Sequence, residues 1–335
     1  MSKKGIAVAG NMIVDLLYPI NGIPKPGELT TITADAARSI GGFLCNDIVD
    51  LAKLDPTLPL VALGRVGDDA EGKFIREKMA ECKNIDMQYV KTEGSTSFTL
   101  VMADEITKQR TFYHNRGGNA KFCEADIPWD ELDVDMLMVG YILLLDTLDE
   151  EDSQYGTKMA KVLAEAQKRG IKTSIDVVSE AGDRFRKLVC PALKYTDYCI
   201  INEVEASAST GIELRSEDGK LLTENMPAAL KKLKELGVST WAVIHCPEIG
   251  MGLDENNNLV EVPSLKLPKG WIKGTVGAGD AFCAGILYAA ETGMDMTNAL
   301  KLGACAAAAS LSEVSASDGV KTAEECLKLY DQYAK

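Results

Sequence analysis

Gly274-Thr275-Val276-Gly277-Ala278-Gly279-Asp280 runs without a break into AFCAGILYAA, ending at residue 290. A glycine-rich turn that opens directly into an apolar helix gathers unpaired backbone N–H groups and the positive end of the helix dipole at one point, and an anion belongs there. Gly277 and Gly279 allow the backbone to come close to such a ligand. Asp280 stands at the helix start, where an Asp most often serves as a cap. Beside an anion site it is equally placed to act as a base, and spacing alone leaves both readings open. The turn is neither G-x-G-x-x-G nor G-x-x-x-x-G-K-[ST], so it is not a dinucleotide fingerprint or a P-loop.

Around this segment short apolar runs alternate with longer amphipathic ones, the pattern of a mostly parallel sheet with crossover helices. Strands are predicted at 5–10, 60–63, 136–140, 172–176, 198–201 and 241–244, and helices at 45–54, 70–83, 155–169, 227–237, 280–292, 297–311 and 322–334. Within 70–83, Phe74, Ile75, Met79 and Cys82 fall at helical spacing while Lys73, Arg76 and Lys78 face elsewhere. Two stretches break the rhythm. Residues 16–40 carry three prolines and two glycines before a Thr-rich alternation, and 95–114 alternate β-branched and aromatic residues about a polar centre, like a hairpin. Together they predict a small β-sheet, from about 12–40 and 94–118, projecting as a lid over a cleft in a single domain spanning 1–335. DENNN at 254–258 is a polar turn.

The chain has 335 residues, 46% hydrophobic and 26% charged, with a formal net charge of −14. That balance is globular, and the acidity argues against nucleic-acid partners, which draw affinity from Lys and Arg. A nucleotide stays open as a ligand because backbone N–H groups and a metal can bind it. The nine cysteines include no C-x-x-C pair and read as reduced thiols of a cytoplasmic protein. Asn11 and Asp15 interrupt the apolar N-terminal stretch, which reads as a first strand rather than a signal peptide. No apolar run reaches the ~18 residues a membrane helix needs.

GTVGAGDAFCAGIL resembles the C-terminal signature of the ribokinase (PfkB) family of carbohydrate kinases, D-T-x-G-A-G-D followed by a small-residue helix. Other motifs similar to that family follow in its order over nearly the whole chain: Gly10-x-x-x-x-Asp15, the lid-strand sequence IPKPGE at 23–28, Gly41-Gly42-x-x-x-Asn46, GRVGDDAEG at 64–72, and Asn202-x-x-Glu205. The resemblance implies a three-layer α/β/α fold with a small β-sheet lid, and ATP-dependent phosphorylation of a hydroxyl on a sugar or sugar-like molecule. It makes Asp280 the catalytic base and Gly277, Ala278 and Gly279 the anion hole. Asp15, Gly41, Gly42 and Asn46 fall on the substrate side, where Asp15 can accept hydrogen bonds from two vicinal hydroxyls and the glycines let a ring pass close to the backbone. Asn202, Glu205, Gly250, Thr275 and Cys305 fall on the nucleotide side, with Glu205 near Mg2+. Lids of this family often pair, which implies a homodimer. The chemistry is consistent with these roles: aimed N–H donors and a metal stabilise the loose transition state of phosphoryl transfer, and a carboxylate takes the proton of the attacking alcohol. Phe43, Ile13 and Tyr141 are expected to give the cleft an apolar wall.

Three positions depart from the family pattern. The first Asp of D-T-x-G-A-G-D is Gly274, so the monovalent-cation site of relatives is not carried over. The expected T-x-G-x-x-G after the strand at 241–244 is replaced by HCPEIGMG, and Cys305 stands where relatives often have Asn. A catalytically weak sugar-binding or regulatory relative is therefore one alternative, and a nucleoside kinase of the same family another. His114 and Arg116, at the end of the second lid segment, either reach a substrate carboxylate or form a solvated edge.

Overall fold

In β1 (Ile6–Gly10) every residue is buried, as in a strand covered on both faces, and its side chains divide by parity. Ile6 and Val8 join one apolar core and Ala7 and Ala9 a second on the opposite face. The computed structural model describes residues 4–107, 109–178 and 184–334. The remaining strands, in chain order, are β2 (Ile13–Ile20), β3 (Ala37–Gly41), β4 (Leu60–Val66), β5 (Ile85–Asp86), β6 (Lys91–Thr92), β7 (Ser97–Asp104), β8 (Arg110–Asn115), β9 (Met136–Ile142), β10 (Glu151–Asp152), β11 (Gly156–Thr157), β12 (Lys172–Val177), β13 (Tyr198–Asn202), β14 (Trp241–His245), β15 (Ile249–Leu253) and β16 (Leu259–Pro263). The helices are α1 (Phe43–Leu54), α2 (Ala70–Met79), α3 (Lys158–Lys168), α4 (Phe185–Leu193), α5 (Glu203–Thr210), α6 (Met226–Leu236), α7 (Ala278–Glu291), α8 (Met296–Ser310) and α9 (Ala323–Tyr333).

The central sheet has the order β16-β15-β14-β13-β12-β9-β1-β4-β5, with β6 beside β4. Strands from β14 to β5 run parallel to their neighbours, and β15 and β16 extend the sheet antiparallel. Helices α1, α2, α7, α8 and α9 close the core that holds Ile6 and Val8, and α3 to α6 close the other, giving three layers. The chain moves from β1 to the β4 side and from β9 to the β12 side. The carboxyl ends of β1 and β9 therefore border the crevice where open α/β sheets bind ligands.

A second, mixed sheet has the order β3-β2-β7-β8, with β2 parallel to β7 and the outer pairs antiparallel. It is built from the two segments that broke the sequence rhythm. IPKPGE, expected as a strand, instead lies in the connection between β2 and β3, where Glu28 N bonds Lys25 O in a turn. Pro24 and Pro26 have no N–H to give a ladder. The helix expected over 70–83 ends at Met79. Its N-cap is Asp69 of GRVGDDAEG, which accepts from Gly72 N, while Arg65 of the same motif is buried against Asp126.

Candidate active site

At the end of β1, Asn11 N bonds Gly140 O, and the Asn11 side chain accepts from Tyr141 N, tying the two strand ends together. Gly140 has no room for a side chain, because a Cβ would stand 2.9 Å from the Phe43 ring. Tyr141 packs edge-on against that ring with centroids 5.6 Å apart, and its hydroxyl donates to Asp280 Oδ1 at 2.8 Å. From the first turn of α1, Asn46 Nδ2 donates to Asp280 Oδ2 at 2.8 Å. Three elements distant in sequence thus converge on one carboxylate.

Asp280 lies in the first turn of α7, whose N-cap is Gly277 with φ 79° and no side chain to cap the helix. A Cβ at Gly277 would run into Ala316 at 2.5 Å, so both the left-handed backbone and the close approach require glycine. The turn exposes Thr275 and leaves Ala278 and Gly279 partly open. At Gly274 a Cβ would crowd the Glu313 and Val314 carbonyls, at 2.9 and 3.0 Å.

Asp280, Gly279, Tyr141, Asp176, Asn202, Glu205, His245 and Cys283 line a cavity of about 270 Å³ at the carboxyl ends of the parallel strands. Asn202 and Glu205 form a reciprocal cap at the start of α5: the Asn202 side chain accepts from Val204 N and Glu205 N, and Glu205 Oε2 accepts from Asn202 N. The capping role and a place on the cavity wall coincide. Burial raises the Asp280 carboxyl above its ordinary pKa, against the pull of the Asn46 and Tyr141 donors. Burial also raises Asp176, with the nearby charges of Glu205 and Asp280 adding to it. His245 stacks on Phe282 with centroids 4.8 Å apart, and burial lowers its pKa to about 4. It is therefore a neutral ring beside Gly279.

Gly41 belongs with Asp15, since a Cβ there would sit 2.3 Å from Asp15 Oδ2, and Gly42 enters α1 with φ 83°. Asp15 opens on a separate cavity of about 300 Å³, shared with Arg38, Arg110, Phe112 and Val276 and lying between the second sheet and the glycine turn. Burial raises its carboxyl, opposed by Thr99. Gly250 is buried in β15, where a Cβ would meet Phe282 at 3.0 Å, so its glycine serves strand-to-helix packing. Cys305 has no exposed surface and packs in the core, and burial pushes its thiol up to about 12. Of the expected apolar wall, Tyr141 lines the cavity beside Asp280, while Phe43, which packs on Tyr141, and Ile13, beside Gly42, are buried. Arg116 bonds Leu143 O and Asp146 Oδ1, and His114 Nδ1 meets Thr99 Oγ1.

Sequence reasoning missed Asp176, at the end of β12, and Asp47, one residue beyond Asn46. Both are aspartates in predicted elements, at a strand end and on a helix next to a chosen residue, and only those positions could have marked them. His245 was noticed only as a departure.

By fold, the molecule is a ribokinase-type α/β/α protein: it superposes on the Arabidopsis thaliana ribokinase complexed with ribose and ATP with a TM-score of 0.76, at 20% identity over 98% of each chain. The chain belongs to the pfkB family of carbohydrate kinases, which it matches over residues 3–323. It is 25% identical to the ribokinase of Arabidopsis thaliana over 90% of this chain and 74% of that one. It is 26% identical to the 2-dehydro-3-deoxygluconokinase of Escherichia coli over 90% and 93%, respectively. Among the described residues no helix is long and apolar enough to cross a membrane.

Proposed function

We propose that this carbohydrate kinase uses ATP to phosphorylate a hydroxyl of a sugar or sugar-like molecule, with Asp280 as general base and the backbone of Gly277, Ala278 and Gly279 as anion hole. The observation that carries the reading is the junction of the two parts in one turn: an uncapped helix N-terminus and, within that first turn, a buried carboxylate facing a cavity.

Asn46 and Tyr141 hold the Asp280 carboxylate in one orientation. The acceptor hydroxyl would give its proton to Asp280 while the turn's N–H groups stabilise charge on the transferred group. Asp176, Asn202 and Glu205 present oxygen donors around the cavity, a set that fits a hard divalent cation keeping part of its water shell. Such a cation, when bound with ATP, supplies charge neutralisation at the phosphates. On the acceptor side, Asp15 and the Gly41-Gly42 entry to α1 contact the sugar. The second sheet would act as a lid that closes over it, excluding the water that competes as acceptor.

The test is ADP release with Mg-ATP across pentoses, hexoses, keto-sugar acids and nucleosides, comparing wild type with Asp280→Asn. One acceptor class should turn over, and the substitution should lower kcat about 10²–10⁴-fold while binding persists. Binding of a sugar with no turnover of any acceptor would replace the kinase reading with that of a sugar-binding relative. Unimpaired turnover in Asp280→Asn would remove the base.

A further inference from the structure

A third cavity, of about 690 Å³, is larger than either of the two above and lies between β3, α1, α2 and the segment that leads into α9. Its volume is that of a small-molecule site. The floor is apolar: Val49, Ala52 and Val320 are buried there, and Ile40, Phe74 and Cys82 are half-buried. Around it stand Arg38, Lys53, Lys78, Lys83 and Lys321, against the carboxylates of Glu81, Asp318 and Glu325. Cations thus outnumber acids in the lining, on a chain whose net charge is −14.

The acids are already engaged. Glu81 pairs with Lys78 at 2.9 Å, Glu325 accepts from Thr322 Oγ1 at 2.8 Å, and Asp318 stands 3.9 Å from Lys53. Lys83 donates to Ala80 O, and among the described residues neither Lys83 nor Lys321 forms an ion pair. Ammonium groups without carboxylate partners beside an apolar floor complement a ligand that is anionic at one end and carries a ring or carbon body at the other. A phosphate, doubly charged and with three acceptor oxygens, serves several such groups at once.

The cavity shares a wall with the glycine turn. Ser315, Ala316, Ser317 and Asp318 line it, and Ala316 is the residue that a Cβ on Gly277 would strike at 2.5 Å. Lys53 Nζ donates to Ser317 O at 2.8 Å, tying α1 to this segment, and it also faces the buried Asp50. An anion in the cavity competes with Ser317 O for Lys53, and a shift of the 315–318 segment moves the support behind Gly277.

We propose that this cavity binds an organic phosphate, a phosphate group on a sugar or nucleoside body, and that its occupancy is transmitted through residues 315–318 to the Gly277 turn. The binding does not rest on the kinase reading, whereas the transmission does.

Isothermal titration calorimetry of the chain, without ATP or acceptor, tests the binding with ribose 5-phosphate, AMP and inorganic phosphate. At least one of the two organic phosphates should bind at least tenfold more tightly than inorganic phosphate, and which one does so separates a sugar body from a nucleoside body. The double substitution Lys83→Glu, Lys321→Glu, at two exposed positions, should weaken that binding at least tenfold with Tm unchanged. A phosphate held in the 270 Å³ cavity at the strand ends would not respond to these lysines. Undiminished binding by the double variant, no binding of either organic phosphate, or equal binding of inorganic phosphate overturns the proposal. Once an acceptor is known, the organic phosphate that binds should shift KM for Mg-ATP at least threefold in wild type and leave the double variant unaffected; binding with unaltered kinetics in wild type overturns the transmission.

Discussion

Asp280 receives one donor from a helix and one from a strand, and the tyrosine is the more informative to remove. Tyr141→Phe keeps the ring against Phe43 and deletes only the 2.8 Å bond to Asp280, the proposed base. The expected outcome in steady-state kinetics is a kcat lower by about fivefold with KM for ATP nearly unchanged, since one net hydrogen bond is worth ~1 kcal/mol. An unchanged kcat would mean that Asn46 alone sets the orientation. His245 makes a prediction about stability. Its pKa is about 4 in the folded chain against 6.5 as the ordinary value, so below pH 6.5 the unfolded chain binds the proton that the folded one refuses. Stability is lost as pH falls from 6.5 towards 4. Urea denaturation at pH 7 and 4.5 should show wild type losing about 2 kcal/mol more than His245→Gln. At this scale the motifs singled out Asp280, Gly277 and Asn46, which the structure brings to one end of α7, but the sequence was silent on Asp176 and Asp47. An aspartate at a strand end or on a helix looks the same whether it faces solvent or a carboxylate far along the chain.

The run LGACAAAAS in α8 looks featureless in sequence and has a sharp structural reason. A Cβ on Gly285 of α7 would stand 2.9 Å from Gly303 Cα, and one on Gly303 would stand 3.1 Å from Phe282 O, so the two helices pack backbone to backbone. Gly285→Val should destabilise the chain by about 1–3 kcal/mol through overpacking, read as a lower Cm in urea at unchanged m. Because α7 also carries Asp280, kcat should fall as well. Asn202→Ala separates two roles of one residue: loss of the cap costs about 1 kcal/mol of stability, whereas a cavity oxygen lost to the nucleotide side shows as a raised KM for Mg-ATP. A stability loss with KM unchanged would leave Asn202 as a cap alone. Strongly periodic elements were predicted close to their observed places, as at 60–63, 172–176 and 297–311. Helices α4 and α5 and strands β15 and β16 were not predicted, because Pro191 interrupts one helix, Ser and Thr dilute the apolar face of the other, and Gly250 and Gly252 mimic a loop.

Exposed large apolar side chains concentrate on the second sheet and its connections, where Leu29, Ile106, Phe112 and Tyr113 are 97%, 68%, 60% and 57% exposed. Pairing of two lids through the face of β8 that carries Tyr113, away from the Asp15 cavity, predicts a dimer in sedimentation that Tyr113→Asp converts to monomer; a monomeric wild type would end this reading. The sequence by itself determined the alternation of strand and helix, the projecting sheet and the glycine-rich turn that opens α7, because these rest on local periodicity and on residues with special backbone freedom. Only the tertiary structure decided which side chains meet: that Tyr141 and Asn46 share Asp280, that Gly41 makes room for Asp15, that Gly250 and Cys305 belong to packing, and that Asp47 joins a buried acidic group. Those contacts join residues as much as 234 positions apart, and burial, which makes their charges matter, exists only once the layers have closed.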